Sequence, residues 1–153
     1  MRRTKQNKKV RNATVMTYYG ITFKSKLELH CYKKLKEANI RFKYEKVKYE
    51  IVPGFTFSND SYELFKVKGV RTFDKQRSKI RPISYTPDFV GFYPNTNKVF
   101  IIETKGNPND AFPLRWKLFK KYLEDNDVDA DLYMPRNQKH INLVIELILK
   151  RYE

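Results

Sequence analysis

With 153 residues, 41% of them hydrophobic, the chain is long enough for one domain with a buried core, and its 11 Tyr and 11 Phe against 5 Gly exclude a low-complexity or disordered polymer. Its 32 Lys and Arg outnumber 17 Asp and Glu, and the net charge of +15 with a pI near 9.8 marks a polyanion binder, nucleic acid first and an anionic membrane second. The membrane is set aside because no apolar run approaches the roughly 18 residues of a spanning helix; the lack of an apolar leader core predicts a cytoplasmic, reducing location, and the single Cys31 excludes an internal disulfide.

Residues 1–12 hold six cations and no acid, so they read as a flexible basic arm ahead of one domain spanning 13–153. Arg2, Arg3, Lys5, Lys8, Lys9 and Arg11 are candidate phosphate contacts, the plainer alternative being a solubilising tail. Val15 to Phe23 is aromatic-rich and suits an edge. Ser25-Lys26-Leu27-Glu28 is a capping box that starts a helix, Leu27, Cys31, Leu35 and Ala38 form its inward stripe, and Asn39 stops it. Glu28 therefore has a structural explanation of its own; Cys31 reads as core, His30 as surface, and Lys24 and Lys26 as DNA contacts.

Ile40, Phe42 and Tyr44 alternate as a half-buried strand, and the apolar set then shifts phase to Val47, Tyr49 and Ile51, which predicts a bend. Glu45 and Glu50 read as solvated. In the segment 54–82, Phe55, Phe57 and Tyr62 to Val67 suit strands, Lys68-Gly69 a turn, and Asp74 to Lys79 an exposed loop. Arg77, Lys79 and Arg81 are either phosphate contacts or part of a solvated basic loop.

Tyr85 to Val90 and Lys98 to Gly106 flank a polar turn and predict a β-hairpin. With Asn95-Thr96 as a two-residue loop, Asp88 falls opposite Glu103, and Glu103 and Lys105 share its face. Like charges so placed destabilise a sheet unless compensated. A divalent ion would do so, while the bland alternative is an exposed ion-pair ladder. Val99 to Ile102 is continuously apolar, as an interior strand is, so Glu103 leaves the end of a buried element. Further on, Pro113 opens a helix that Asp110 could cap, with Leu114, Leu118, Tyr122 and Leu123 inward, Trp116 in the core, and Arg115 and Lys117 either lining a cleft or solvated. Val128 to Met134 predicts a strand. Ile141 to Leu149 predicts a helix apolar on more than one face, buried in the core or in a dimer interface.

Pro87-Asp88 followed by Glu103-Thr104-Lys105, with Glu28 in Phe23 to Glu28 and the strand Ile40 to Glu45 between, resembles the PD-(D/E)XK nuclease superfamily, nearest the phage endonuclease I type of Holliday-junction resolvase. The resemblance implies an α/β, restriction-endonuclease-like core with a mixed central sheet and flanking helices. It implies an Mg²⁺-dependent DNA endonuclease, with Mn²⁺ as an alternative ion, working as a homodimer on branched DNA in a bacterial or phage-infected cytoplasm. Glu28, Asp88, Glu103 and Lys105 would be catalytic, with Asp88, Glu103, Glu28 and the Thr104 carbonyl binding metal. The segment 54–82 is longer than the matching link of that family and counts as an insertion. Two other readings stay open: the same chemistry on ordinary duplex or single-stranded DNA, and a non-catalytic nucleic-acid-binding module.

Overall fold

The structure, a computed structural model, describes residues 14–75, 78–106 and 111–152. It begins with an antiparallel hairpin of β1 (Met16–Tyr18) and β2 (Ile21–Phe23), reversed at Tyr19 and Gly20 in left-handed backbone. Helix α1 (Lys26–Glu37) follows. Its N-cap is Ser25, whose hydroxyl accepts from the Glu28 N–H at 3.1 Å, and Asn39 at φ 54° ends it. Leu29, Cys31 and Leu35 are buried, with Leu27 and Ala38 partly so. His30 is half-buried rather than superficial, because α1 is packed both by the hairpin and by the last helix; its Nε2 has no hydrogen-bond partner among the described residues.

After β3 (Phe42–Tyr44) the chain turns at Glu45, φ 46°, which is the physical form of the predicted phase shift. It then runs out and back through β4 (Tyr49–Val52), β5 (Phe55–Thr56), β6 (Tyr62–Val67), β7 (Val70–Lys75), β8 (Lys79–Ile80) and β9 (Ile83–Tyr85). These pair antiparallel as β4–β9, β5–β8 and β6–β7, nested into one two-stranded arm. Lys68 and Gly69, at φ 46° and 89°, make the tight turn at its tip; positive φ at both central residues matches the twist of the flanking strands. The loop expected from Asp74 onward is thereby corrected. Once the turn supplies β6 as partner, Val70 to Lys75 extends as a strand and includes Asp74.

The central sheet is mixed, in the order β12–β11–β10–β3, from β10 (Phe89–Phe92), β11 (Val99–Ile102) and β12 (Ala130–Tyr133) beside β3. β10 is antiparallel to β11 and β3, whereas β12 is parallel to β11 across helix α2 (Phe112–Asp125). Phe89 pairs with Ile102 and Phe92 with Val99, the register expected from the sequence. The loop is wider than the expected two residues: Tyr93 N–H donates to the Lys98 carbonyl at 3.0 Å, and the Thr96 hydroxyl bridges the same two residues. Phe100 and Ile102 face a core formed with α1 and α3 (Gln138–Leu149), while Val99 and Ile101 face α2, so β11 is covered on both sides.

On α2 the buried stripe is Phe112, Trp116, Phe119 and Leu123. The expected stripe was rotated: Leu114 is exposed, and Leu118 and Tyr122 lie at the margin, because the aromatic rings fill the space against β4, β9 and β11. Pro113 occupies the first turn, and the N-cap is Ala111, without a side-chain cap bond; Asp110 lies outside the described residues. Among the described residues no helix is long and apolar enough to cross a membrane.

Candidate active site

Asp88 stands one residue before β10, after Pro87, and Glu103 one residue beyond β11, so the register of the core hairpin brings their backbones side by side at the rim of the sheet. The Asp88 carbonyl accepts from the Glu45 N–H at 2.8 Å, and its carboxylate Oδ2 accepts from both the N–H and the hydroxyl of Thr104, each at 2.7 Å. Oδ1 carries neither bond. Glu103 is held differently. Its Oε2 accepts from the Tyr85 hydroxyl at 2.6 Å, and its Oε1 meets Lys105 Nζ at 2.8 Å. The Glu103 and Lys105 N–H groups donate to the carbonyls of Tyr133 and Pro135, so β12 continues to brace this strand past its formal end. Lys105 Nζ also lies 4.7 Å from the centre of the Phe112 ring.

Glu28 reaches the same neighbourhood from the first turn of α1. Its Oε1 accepts from the Ser25 hydroxyl at 3.1 Å, and Oε2 accepts from the Lys24 N–H at 3.1 Å and the Tyr44 hydroxyl at 2.7 Å. The capping box is therefore real but closes on Lys24 rather than on the N-cap itself. Lys24 Nζ is tied to Glu45, a bond that holds its ammonium above the usual range.

Glu28, Asp88 and Glu103 are only 7%, 8% and 4% exposed. Burial, and then the charge of Glu103, push the Asp88 carboxyl up from 3.8 to about 7; Glu28 adds to the rise and the Thr104 bonds oppose it. Burial also drives the Tyr85 and Tyr44 phenols far upward, aided by the Glu103 and Glu28 carboxylates, so both remain protonated donors. The Cys31 thiol is likewise pushed up by burial and by Asp88, which keeps it inert core. Among the described residues no three His, Cys, Asp or Glu side chains stand at metal-ligand spacing, and each of the three carboxylates is held by protein donors. The chemistry of the donor set nevertheless suits a hard divalent cation: buried oxygens with more negative charge than one lysine offsets.

Two contributors escaped the sequence reading. Tyr85 lies three residues before Asp88 and Tyr44 ends an alternating strand, and neither position signals a hydroxyl aimed at a carboxylate. Of the expected nucleic-acid contacts, Lys26, Lys79, Arg81, Arg115 and Lys117 are exposed, and Lys24 is engaged by Glu45. Arg115 is near enough to Tyr85 to oppose the rise of its phenol. Arg77 and the arm residues Arg2, Arg3, Lys5, Lys8, Lys9 and Arg11 lie outside the described residues.

A family model described as "Protein of unknown function (DUF1064)" matches residues 7–132, a span containing Glu28, Tyr44, Tyr85, Asp88, Glu103, Thr104 and Lys105 and the strands β4–β9. No curated protein and no solved structure matches the chain.

Proposed function

The chain belongs to the DUF1064 family, and we propose that it is a metal-dependent DNA endonuclease of the PD-(D/E)XK type, with a restriction-endonuclease-like core, acting as a homodimer on branched DNA. The observation that carries this reading is the rim of β10 and β11. There burial, then the neighbouring Glu103 and, more weakly, Glu28 raise the proton affinity of Asp88, and a lysine two residues beyond Glu103 pairs with Glu103. A purely structural ion pair would not need the second and third carboxylates.

Asp88, Glu103, Glu28 and the Thr104 carbonyl would hold Mg²⁺ or Mn²⁺. Such an ion, when bound, lowers the pKa of a coordinated water and neutralises charge at phosphorus. Thr104 fixes the Asp88 carboxylate through Oδ2, which leaves Oδ1 for a ligand. Tyr85 and Tyr44 orient Glu103 and Glu28 in the manner of outer-shell donors. Lys105, held beside Glu103 and partly exposed, would steady the attacking water or the charge that develops on the phosphate. The net charge of +15 supplies the attraction for the polyanion. The homodimer is supported by Leu143 and Leu147, one turn apart and exposed on α3.

A labelled four-way junction, a flap and the matched linear duplex, each with and without Mg²⁺, test the reading. Mg²⁺-dependent cleavage is expected, strongest on the junction, and both Asp88→Ala and Lys105→Ala should abolish it while the circular dichroism spectrum is kept. Wild-type turnover by either variant would sink the assignment. The β4–β9 arm, longer than the matching link of the endonuclease I pattern, favours one second reading: the same chemistry on an ordinary duplex, which the linear substrate reports. Junction cleavage should divide dimer from monomer as well, since paired cuts need two sites in one complex.

A further inference from the structure

Apart from Tyr85 at its base, the β4–β9 arm has no role in the site chemistry, yet among the described residues more than half of the large apolar side chains left exposed lie on it. Its base is packed. Tyr49 and Tyr85 sit on the α2 rings, with centroids 5.0 and 4.6 Å from Phe119, and Ile51 is buried beside them. Because Tyr85 also holds Glu103, the arm grows directly out of the candidate active site. At about 3.3 Å per residue, the run from Tyr49 to Val67 places the tip no more than about 60 Å from the carboxylates, within two turns of a duplex at about 34 Å each.

The tip hairpin has two unlike faces. Strand alternation and the observed pairs, Tyr62 with Lys75, Leu64 with Phe73 and Lys66 with Arg71, put these six side chains on one face. Tyr62 and Phe73 stack at 6.4 Å, and Tyr62, Leu64 and Phe73 are 55%, 64% and 69% exposed. Three cations flank this apolar centre, and Lys75 also meets Asp60 at 2.5 Å. The reverse face carries both acids of the hairpin, Glu63 and Asp74, directly opposite one another.

We infer that the face of Tyr62, Leu64, Lys66, Arg71, Phe73 and Lys75 lies in the major groove of a DNA duplex, with the acidic face turned away from the phosphates. A major groove about 12 Å wide admits a two-stranded ribbon, its walls present phosphates to flanking cations, and thymine methyls offer apolar contact. A second copy of the chain is the weaker occupant, since two such faces brought together would oppose their cations. The inference takes from the proposed function only its substrate class, DNA, and not hydrolysis.

The test measures affinity of the full chain for a 30-base-pair duplex in EDTA over a range of KCl. Lys66→Ala with Arg71→Ala should lower affinity at least tenfold at moderate salt and make the slope of log K against log salt shallower by about 2, near 0.9 per phosphate released. Phe73→Ala should weaken binding severalfold with the slope unchanged, and Glu63→Gln with Asp74→Asn should not weaken it. Unchanged affinity and slope in the Lys66 and Arg71 variant overturn the inference. So does a sedimentation shift from dimer to monomer in Phe73→Ala at unchanged DNA affinity, which would assign the face to a second copy. Arm-dependent binding without Mg²⁺-dependent cleavage would refute only the nuclease; cleavage with arm-independent binding would refute only the arm.

Discussion

Two antiparallel hairpins in this chain have similar strand lengths and opposite surroundings. β11 is buried along its whole length and β10 up to the exposed Phe92, whereas β6–β7 is exposed apart from the half-buried Phe65 and Thr72. In the first, register is set by packing: the Phe100 ring and the Arg41 carbonyl fill the space where a side chain at position 91 would be, so only glycine fits. In the second, register is set by the Lys68-Gly69 turn, with no core behind it. The buried hairpin can therefore perturb the chemistry of the acids at its end, as it does for Asp88, while the exposed one can only present charge and apolar area to a partner.

The largest expected departure concerns that buried acid. The folded metal-free protein holds a proton on Asp88 up to about pH 7, whereas the unfolded chain releases it near 3.8. The contribution of this group is therefore greatest below pH 4 and is lost as pH rises to 7, amounting to up to about 4 kcal/mol. Asp88→Asn keeps an acceptor for Thr104 without the charge. Urea titrations at pH 5 and pH 8 should show wild type losing stability relative to this variant at the higher pH, and Mg²⁺ restoring it in wild type alone. A difference independent of pH would mean that the Asp88 charge is not strained.

Next in size, Gly91→Ala forces a methyl into the Phe100 ring and the β3 backbone and should cost about 1–3 kcal/mol or more, read as a lower thermal midpoint. Tyr85→Phe removes one donor to Glu103. It should reduce Mg²⁺-dependent cleavage about 10–100-fold and raise the Mg²⁺ concentration needed, with the thermal midpoint changing far less than in Gly91→Ala. The smallest effect belongs to the exposed hairpin. Phe73→Ala should alter global stability by no more than about 0.5 kcal/mol, since that ring is largely exposed. A large loss there would show that the arm is covered in solution and would erase the contrast.

Much of the fold was legible because it is written in local signals. The Ser25 cap and the Asn39 stop bracket α1, the run Val99 to Ile102 announces a strand buried on both sides, and counting back from the polar turn anticipates the core register that packing then enforces. A helical stripe, by contrast, depends on which side chains find a cavity: on α2 the aromatic Phe112, Trp116 and Phe119 displaced Leu114, although both sets share the same period.

The sequence by itself determined the presence of the elements, the charge of the surface and the placing of Asp88 beside Glu103, since each depends on neighbours a few residues apart or on a turn that joins them. Only the tertiary structure decided that Tyr85 and Tyr44 would donate to two of the acids, that α1 would bring Glu28 to the sheet rim, and that β6 and β7 would form an exposed, sided hairpin. The first two outcomes depend on contacts between residues from 16 to 60 positions apart, where the geometry of packing, and not local preference, selects the partner.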